Sequence, residues 1–503
     1  MTPPGDHQRM SFGAEIRRRF SILFGVLFMS FDGNAPSTTA ESNSFFSVLR
    51  ETFVGTTRDF TQGSILTGLI ILAIPMILEM SMESLFAIVD TFFVAKLGAE
   101  SVAVVGLTES VLVLIYAVAI GLSIGVTATV ARRVGEKDLE GAARTATHAV
   151  YLGLLVSVVM GAAGVIFAPT LLGLLKAEPA VIELGTPFFR IMMGTNVVIV
   201  FLFLLNGIFR GAGDAAIALR VLIIANGLNI LFCPLFIFGI GPFPELGVTG
   251  AAVATVCGRS IGVLYAGWAL FLRPNGRLNV RRDHWKFSPE LVTSLMKLSG
   301  TAVLQFLIAT ASWTALIRIV AVFGSVALAG YQIGLRVIMF VLLPAVGLAN
   351  AAATLVGQNL GAGKPERAER SVWIASGLNA VLLGFAGTFF VLFSGSVISI
   401  FTNDPEVLAY GSDCLRIVGY GYAFYGLGMV MESSFNGAGD TWTPTYLNFF
   451  IFWLFEIPVA YLLADYDGYG PQGVFWAITI AFSVLAVTAA LLFRRGKWKL
   501  KVV

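Results

Sequence analysis

Apolar residues in this chain run unbroken where a soluble protein would interrupt them with polar positions every turn or every second residue. Stretches of roughly 20 apolar residues, enough to cross about 30 Å of hydrocarbon, recur from residue 65 to residue 494. Continuous runs predict helices: in lipid every backbone polar group needs an internal partner, and a barrel would show a two-residue period. The first half predicts spans near residues 65–95, 104–131, 142–168, 184–210, 216–240 and 248–273. The second predicts spans near 291–322, 328–357, 370–398, 410–436, 442–465 and 472–494. The expected fold class is an all-α integral membrane protein, with twelve transmembrane helices in two parallel-repeat six-helix lobes around a central cavity.

An internal repeat supports the two lobes. FRGAGD at 209–214 returns as FNGAGD at 435–440, so Gly213 and Gly439 are offset by 439 − 213 = 226. In the same register AIGL from Ala119 meets AVGL from Ala345, Gly135 meets Gly361, Arg144 meets Arg370, and AEPAV from Ala177 meets NDPEV from Asn403. A register held over such a distance marks a duplicated unit. Six spans per copy is an even number, so the copies are parallel, and such a pair can rock about a cavity between them. Gly211, Gly213, Gly437 and Gly439 would permit a tight turn after the fourth span of each lobe, as a hinge or as a plain turn, and Asp214 and Asp440 stand where they could cap the next helix.

The organisation expected is an extension over 1–63, a first lobe over 64–273, a cytoplasmic linker over 274–287, a second lobe over 288–494 and a basic cytoplasmic tail over 495–503. The apolar core of RRRFSILFGVLFMSF is too short to span a bilayer, so the extension reads as amphipathic or disordered, with a targeting role as the alternative.

Composition agrees: 57% of residues are hydrophobic and 13% charged, more apolar surface than a soluble domain could bury. The few charges are sorted by side. Arg132, Arg133, Lys137 and Arg144, the linker arginines, Lys364, Arg367 and Arg370, and the C-terminal lysines all fall on one face. Positive residues mark the cytoplasmic side, so a multi-pass protein of the cell (inner) membrane with both termini cytoplasmic is expected. This bias accounts for the net charge of +3 without a nucleic-acid surface. Three cysteines and three histidines lack metal-ligand spacing, and no GxxxxGK[ST] loop is present, so neither a metal, a cofactor nor direct ATP drive is expected.

Charges inside spans carry the candidate chemistry, because an isolated carboxylate in lipid is costly. In LEMSMESLFAIVD, Glu79, Glu83 and Asp90 fall on one face of the first helix, expected to look into the inter-lobe cavity. Arg210 and Arg259 could instead neutralise them as structural partners. The equivalent positions in the second lobe are Gln305, Ala309 and Leu316, and the seventh span has no Asp or Glu, which assigns the acidic function to the first lobe. Pro75 removes a backbone donor and lets the first span bend. Protonation of Asp90 or a neighbour would let that helix repack and change substrate affinity between access states. Gln305, Tyr422 and Tyr425 could line a cavity for flat cations, with aromatic packing as the alternative. Arg318 and Arg336 could meet anionic headgroups or snorkel to the interface.

LAIPM at 72–76, IVDTFFVAKLG ending at Gly98, the G-E-K and G-A-G-K loops after spans two and eight, and the paired FRGAGD and FNGAGD resemble the multidrug and toxic compound extrusion (MATE) transporters. The likeness covers residues 65 to 494 and is nearest to the branch with the DNA-damage-inducible and archaeal members. It implies an antiporter, expected to be a monomer in the lipid bilayer, that expels small cationic or amphipathic compounds in exchange for H⁺ or Na⁺. Carried over by residue, Pro75 matches the bending proline, Asp90 the essential acid, and Asn229 and Thr255 the polar members of the cation network. Cys233 departs from that pattern, which has Asp there, and Gln305 replaces the acid that the sodium-coupled branch carries on its seventh helix. Both departures favour H⁺ as the coupling ion, with Na⁺ as the alternative. A lipid-linked oligosaccharide flippase is the competing transport reading; a membrane-embedded enzyme lacks the accompanying histidine, metal cluster or cofactor motif.

Overall fold

The computed structural model describes residues 51–502 apart from 57, 274, 275, 279 and 467. The amphipathic or disordered reading of the extension therefore lies outside the described residues as far as position 50. Twelve long helices follow, and no strand occurs among the described residues. The first lobe holds α1 (Ile65–Ala95), α2 (Ala99–Gly135), α3 (Leu139–Ile166), α4 (Pro179–Ala212), α5 (Ala215–Phe238) and α6 (Val248–Phe271). The second holds α7 (Pro289–Ala321), α8 (Ser325–Gly361), α9 (Pro365–Ile398), α10 (Pro405–Gly437), α11 (Trp442–Asp465) and α12 (Pro471–Arg494).

Local sequence sets the ends. Ser64 caps α1 by accepting from the Thr67 amide, Asp138 caps α3 through the Gly141 amide, and Asp404 caps α10 through the amides of Glu406 and Val407. Eleven of the twelve helices are long and apolar enough to cross a membrane by length and composition. The exception is α10, rich in Tyr, Gly and Ser, which packs against α8, α9 and α12 at once. A helix shielded by its neighbours needs fewer apolar residues to stay in the bilayer. Three helices depart from regularity: α4 is broken at Thr195, α9 is kinked at Phe393, and α11 contains π-helical turns over Phe449–Glu456 and Leu462–Tyr466.

The repeat reappears in space. A Cβ on Gly121 of α2 would lie 2.8 Å from the Val303 amide nitrogen of α7, and one on Gly347 of α8 would lie 2.5 Å from the Ile77 nitrogen of α1. Since 121 + 226 = 347 and 77 + 226 = 303, these are one contact made twice. Gly135 and Gly361 form a second such pair, with no room for a Cβ against the backbone carbonyls of Gln358 and Arg132. Small residues let backbones approach where lipid supplies no hydrophobic drive for association.

Each lobe's leading helix is shared. Leu69, Leu72 and Met76 in the first half of α1 belong to the core of the second lobe, whereas Val94 near its end belongs to the core of the first. Conversely, Leu295 of α7 sits in the first lobe's core and Leu316 and Ile319 in the second's. Pro75 therefore lies in the part of α1 packed on the second lobe, just ahead of the crossing between Ile77 and Met82.

The basic clusters gather at one end. There Lys137 pairs with Asp59 at 2.6 Å, Arg277 donates to the Arg58 carbonyl, Lys364 to that of Thr61 and Arg132 to that of Lys501. Inter-lobe hydrogen bonds lie at this basic end as well: Gln358 Nε2 donates to the Gly211 carbonyl at 3.0 Å and Thr354 Oγ1 to that of Arg210 at 3.3 Å.

Candidate functional site

The three acids of α1 do not face the space between the lobes, as their stripe suggests. They point into the first lobe, among α2, α4, α5 and α6, where basic and polar partners offset the cost of burial. Glu79 is 1% exposed; its Oε1 accepts from Asn206 Nδ2 at 3.1 Å and pairs with Arg210 Nη1 at 3.4 Å, while Arg210 Nη2 donates to Ser123 Oγ. One helical turn on, Glu83 pairs with Arg259 Nη2 at 2.9 Å. Arg259 is buried too, donates to the Tyr116 hydroxyl and lies 4.4 Å over the Phe86 ring. These two acids thus have the arginine partners that the structural alternative names.

Asp90 differs. Its only hydrogen-bond partner among the described residues is the Cys233 thiol, 3.6 Å from Oδ1, and no arginine, lysine or histidine forms an ion pair with it. The same thiol reaches Asn229 Oδ1 at 3.7 Å, and Asn229 Nδ2 donates to Thr255 Oγ1 at 3.1 Å. A thiol has one hydrogen, so it serves Asp90 or Asn229 but not both. The structure therefore brings Asp90, Asn229 and Thr255 into one chain from α1 through α5 to α6, with Cys233 as the link. A half-buried carboxylate so placed can exchange a proton, or hold a cation among the side-chain oxygens of Asn229 and Thr255.

Beside Arg210, a cavity of about 60 Å³ crosses the repeat axis, lined by Ser123, Thr127, Arg210, Asn350, Ser433 and Asn436. Arg210 and Asn436 are repeat equivalents, as 210 + 226 = 436. In the duplicated loop Gly213 and Gly439 both take φ +83°, a conformation that strains any residue with a Cβ. The flanking acids do not cap the next helix, contrary to expectation. Asp214 makes no side-chain cap bond, and Asp440 accepts from Thr443 Oγ1 and pairs with Lys501 at 3.1 Å, since a basic tail offers a stronger partner than an amide. Gly211 and Gly437 sit two residues earlier, against Thr127 of α2 and Ala353 of α8.

Of the proposed cavity residues, Tyr422 is a core residue instead: it is 1% exposed and its hydroxyl donates to the Ile338 carbonyl, which satisfies its one polar atom inside the second lobe. Tyr425 is half-buried with its ring 4.0 Å from that of Phe482, and the Gln305 side-chain oxygen is buried without a partner.

The seventh span has no acid, but the second lobe is not free of them. Glu432 of α10 and Glu456 of α11 are carboxylates at membrane depth, Glu456 only 1% exposed, and each has an oxygen with no hydrogen-bond partner. Neither forms an ion pair among the described residues. Their signal was plain: a lone Glu inside MVMESS and another inside WLFEIP, the same criterion that selects the α1 acids. In the first lobe, Glu109 of α2 is a further acid within a span, in LTESVL and exposed.

The same duplicated architecture occurs in known proteins. The MatE family model matches this chain twice, over residues 75–235 and 302–462, an offset of 302 − 75 = 227, one residue from the register of the paired loops. This chain is a member of the MatE family. Among the curated relatives, "Probable multidrug resistance protein NorM" of Thermotoga maritima is 29% identical, the match covering 86% of this chain and 93% of that protein. The "FAD transporter" of Shewanella oneidensis is 25% identical over 82% of this chain and 90% of its own. The solved structure "Crystal structure of MATE in complex with MaL6" superimposes with a TM-score of 0.84 at 27% identity, over 89% of this chain and all of that one. The MATE fold of twelve helices in two lobes accommodates every helix given above, and MATE relatives are transporters rather than enzymes.

Proposed function

We propose that this MATE transporter is a secondary active antiporter that exports cationic or amphipathic organic compounds, including drugs, in exchange for H⁺ by alternating access. Asp90 is the coupling acid. One observation carries the assignment: of the three acids on α1, two are held by arginines and Asp90 is not. Glu79 and Glu83 then hold α1 against the first lobe, and Asn229 and Thr255 set the polar surroundings of the exchanging carboxyl. When Asp90 takes a proton, its hold on Cys233 weakens, the thiol turns to Asn229, and the outer half of α1 repacks beyond Pro75. Proton release reverses this, so the two protonation states favour different arrangements of the helix shared between the lobes. The basic end is the cytoplasmic one in this reading, and the transporter works as a monomer in the cell (inner) membrane.

The test is efflux from proteoliposomes, with a fluorescent cationic dye and FAD as separate probes, under an imposed pH gradient or an imposed Na⁺ gradient. Dye efflux driven by the pH gradient and lost in Asp90→Asn is expected. Efflux driven by Na⁺ alone overturns the coupling ion, and pH-driven efflux that survives in Asp90→Asn overturns the residue.

A further inference from the structure

The basic end is crossed by a short segment ahead of α1 that is bonded to both lobes. From the first lobe, Lys137 pairs with Asp59 at 2.6 Å. From the inter-lobe linker, Arg277 donates to the Arg58 carbonyl at 3.0 Å and to the Gly213 carbonyl at 3.4 Å. From the second lobe, Lys364 donates to the Thr61 carbonyl at 2.9 Å, and Arg367 donates to the Gln62 carbonyl at 2.8 Å and the Gly63 carbonyl at 2.9 Å. Phe60 is the centre of this arrangement. It is 3% exposed, and a Cβ on Gly213 would come within 3.0 Å both of its ring and of Gln358 Nε2. The Arg277 guanidinium, 3.1 Å from that same Cβ, lies 5.6 Å from the ring. The ring is thus wedged among the duplicated loop of the first lobe, the α8 terminus of the second and the linker between them.

We propose that residues 58–63 are a strap that holds the lobes closed at the basic end, so that its release is required before the transporter opens there. Separating the lobes carries Lys137 and the Gly213 loop away from Lys364 and Arg367, and one six-residue segment cannot follow both. Either the bond to Lys137 or the carbonyl bonds to Lys364 and Arg367 must break, and Phe60 must leave its pocket. Each charged donor bond contributes more than a neutral one, and a buried phenyl ring adds its own apolar area, so the strap biases the equilibrium towards the closed basic end. Because Ser64 and Ile65 follow directly, the strap moves with the first turn of α1, the helix that carries Asp90. Its consequence for transport rests on the alternating-access reading; the conformational effect itself is measurable without any substrate.

The experiment places nitroxide labels on Leu139→Cys and Glu366→Cys, exposed positions at the basic ends of α3 and α9, in full-length protein carrying Cys257→Ala. The buried Cys233 and Cys414 are left in place. Electron–electron distance distributions are compared for the intact strap, Phe60→Ala, Phe60→Leu and Arg367→Ala in lipid nanodiscs. A several-fold larger long-distance population in Phe60→Ala and Arg367→Ala is expected, with Phe60→Leu close to the intact strap. Unchanged distributions in both alanine variants, with the intact protein's elution profile and Tm retained, overturn the strap. Loss of transport without a distance change leaves the strap refuted and the antiport reading standing. A distance change without any gradient-driven transport does the reverse.

Discussion

The two lobes share a backbone and differ in charge. At equivalent positions the first lobe has Glu79, Arg210, Arg259 and Thr255 where the second has Gln305, Asn436, Leu485 and Ala481. The exchange also runs the other way, with Asn206 and Ile230 answered by Glu432 and Glu456. In the first lobe two acids lie against arginines, and their removal from water is offset by pairing. In the second, no arginine or lysine pairs with either acid among the described residues, and α11 takes a π-helical path up to Glu456. Insertions of this kind are frequent at functional sites, and they turn side chains off the register that an α-helix would impose. Duplication therefore fixed where helices run, while substitution made one lobe an ion-paired frame around Asp90 and left the other with carboxyl groups that have no ion-pair partner among the described residues.

The sharpest way to break this comparison is to remove a cation from the paired lobe. Arg259→Leu strands Glu83 and leaves the Tyr116 hydroxyl without its donor. Leaving one member of a buried pair alone costs about 3–5 kcal/mol, so a large fall in the thermal midpoint of purified protein is expected. The double variant Arg259→Leu with Glu83→Leu should recover most of it. A double variant no more stable than the single one means that Arg259 acts through its contact over Phe86 instead.

Neutralising the acids themselves sharpens the contrast, at a smaller scale. Glu79→Gln leaves Arg210 without its carboxylate and is expected to destabilise by about 1–3 kcal/mol. Glu456→Gln removes a carboxyl that has no arginine to lose, and is expected to be neutral or stabilising. Thermal midpoints measured side by side decide the matter. If both variants fall equally, Glu456 has a partner of comparable strength and the two lobes are electrostatically alike.

Much of this was legible in the chain. Apolar run length gave twelve helices because lipid imposes one solution on the backbone, and the offset of 226 survives as reciprocal contacts at Gly121 and Gly347. The stripe of Glu79, Glu83 and Asp90 was visible for the same reason, but which way it faces was not. Helical periodicity says that three side chains share a face; it does not say which neighbour supplies the counter-ion, and Arg210 and Arg259 lie more than a hundred residues away in sequence. Tyr422 shows the converse limit, since an aromatic run reads alike whether it lines a cavity or fills a core. Residues 58–63 have little sequence signature, because apart from the Asp59 carboxylate and the Phe60 ring their bonds are made by backbone carbonyls, which every residue possesses.

The smallest expected effect concerns pH at the basic end. Burial works to raise the Asp59 carboxyl, but the bond from Lys137 and the hydrogen bonds from Thr61 outweigh it and hold the group at about 2, below the ordinary 3.8. A depressed carboxyl stabilises the folded arrangement above its ordinary value and loses that contribution only as pH falls through the lowered one. The charges facing it are Lys137, with Arg277 and Arg367 nearby. Between pH 5 and pH 8 the Asp59 contribution is therefore constant. In the spin-labelled protein the difference between wild type and Asp59→Asn should be the same at both values, whatever pH does to the wild-type distribution itself. A pH effect common to both proteins then belongs to groups elsewhere, with Asp90 in the first lobe and Glu432 and Glu456 in the second as the carboxyls to substitute next. A difference that shrinks towards pH 5 means that Asp59 is titrating, and it would transfer part of the proton sensitivity from the lobes to the strap.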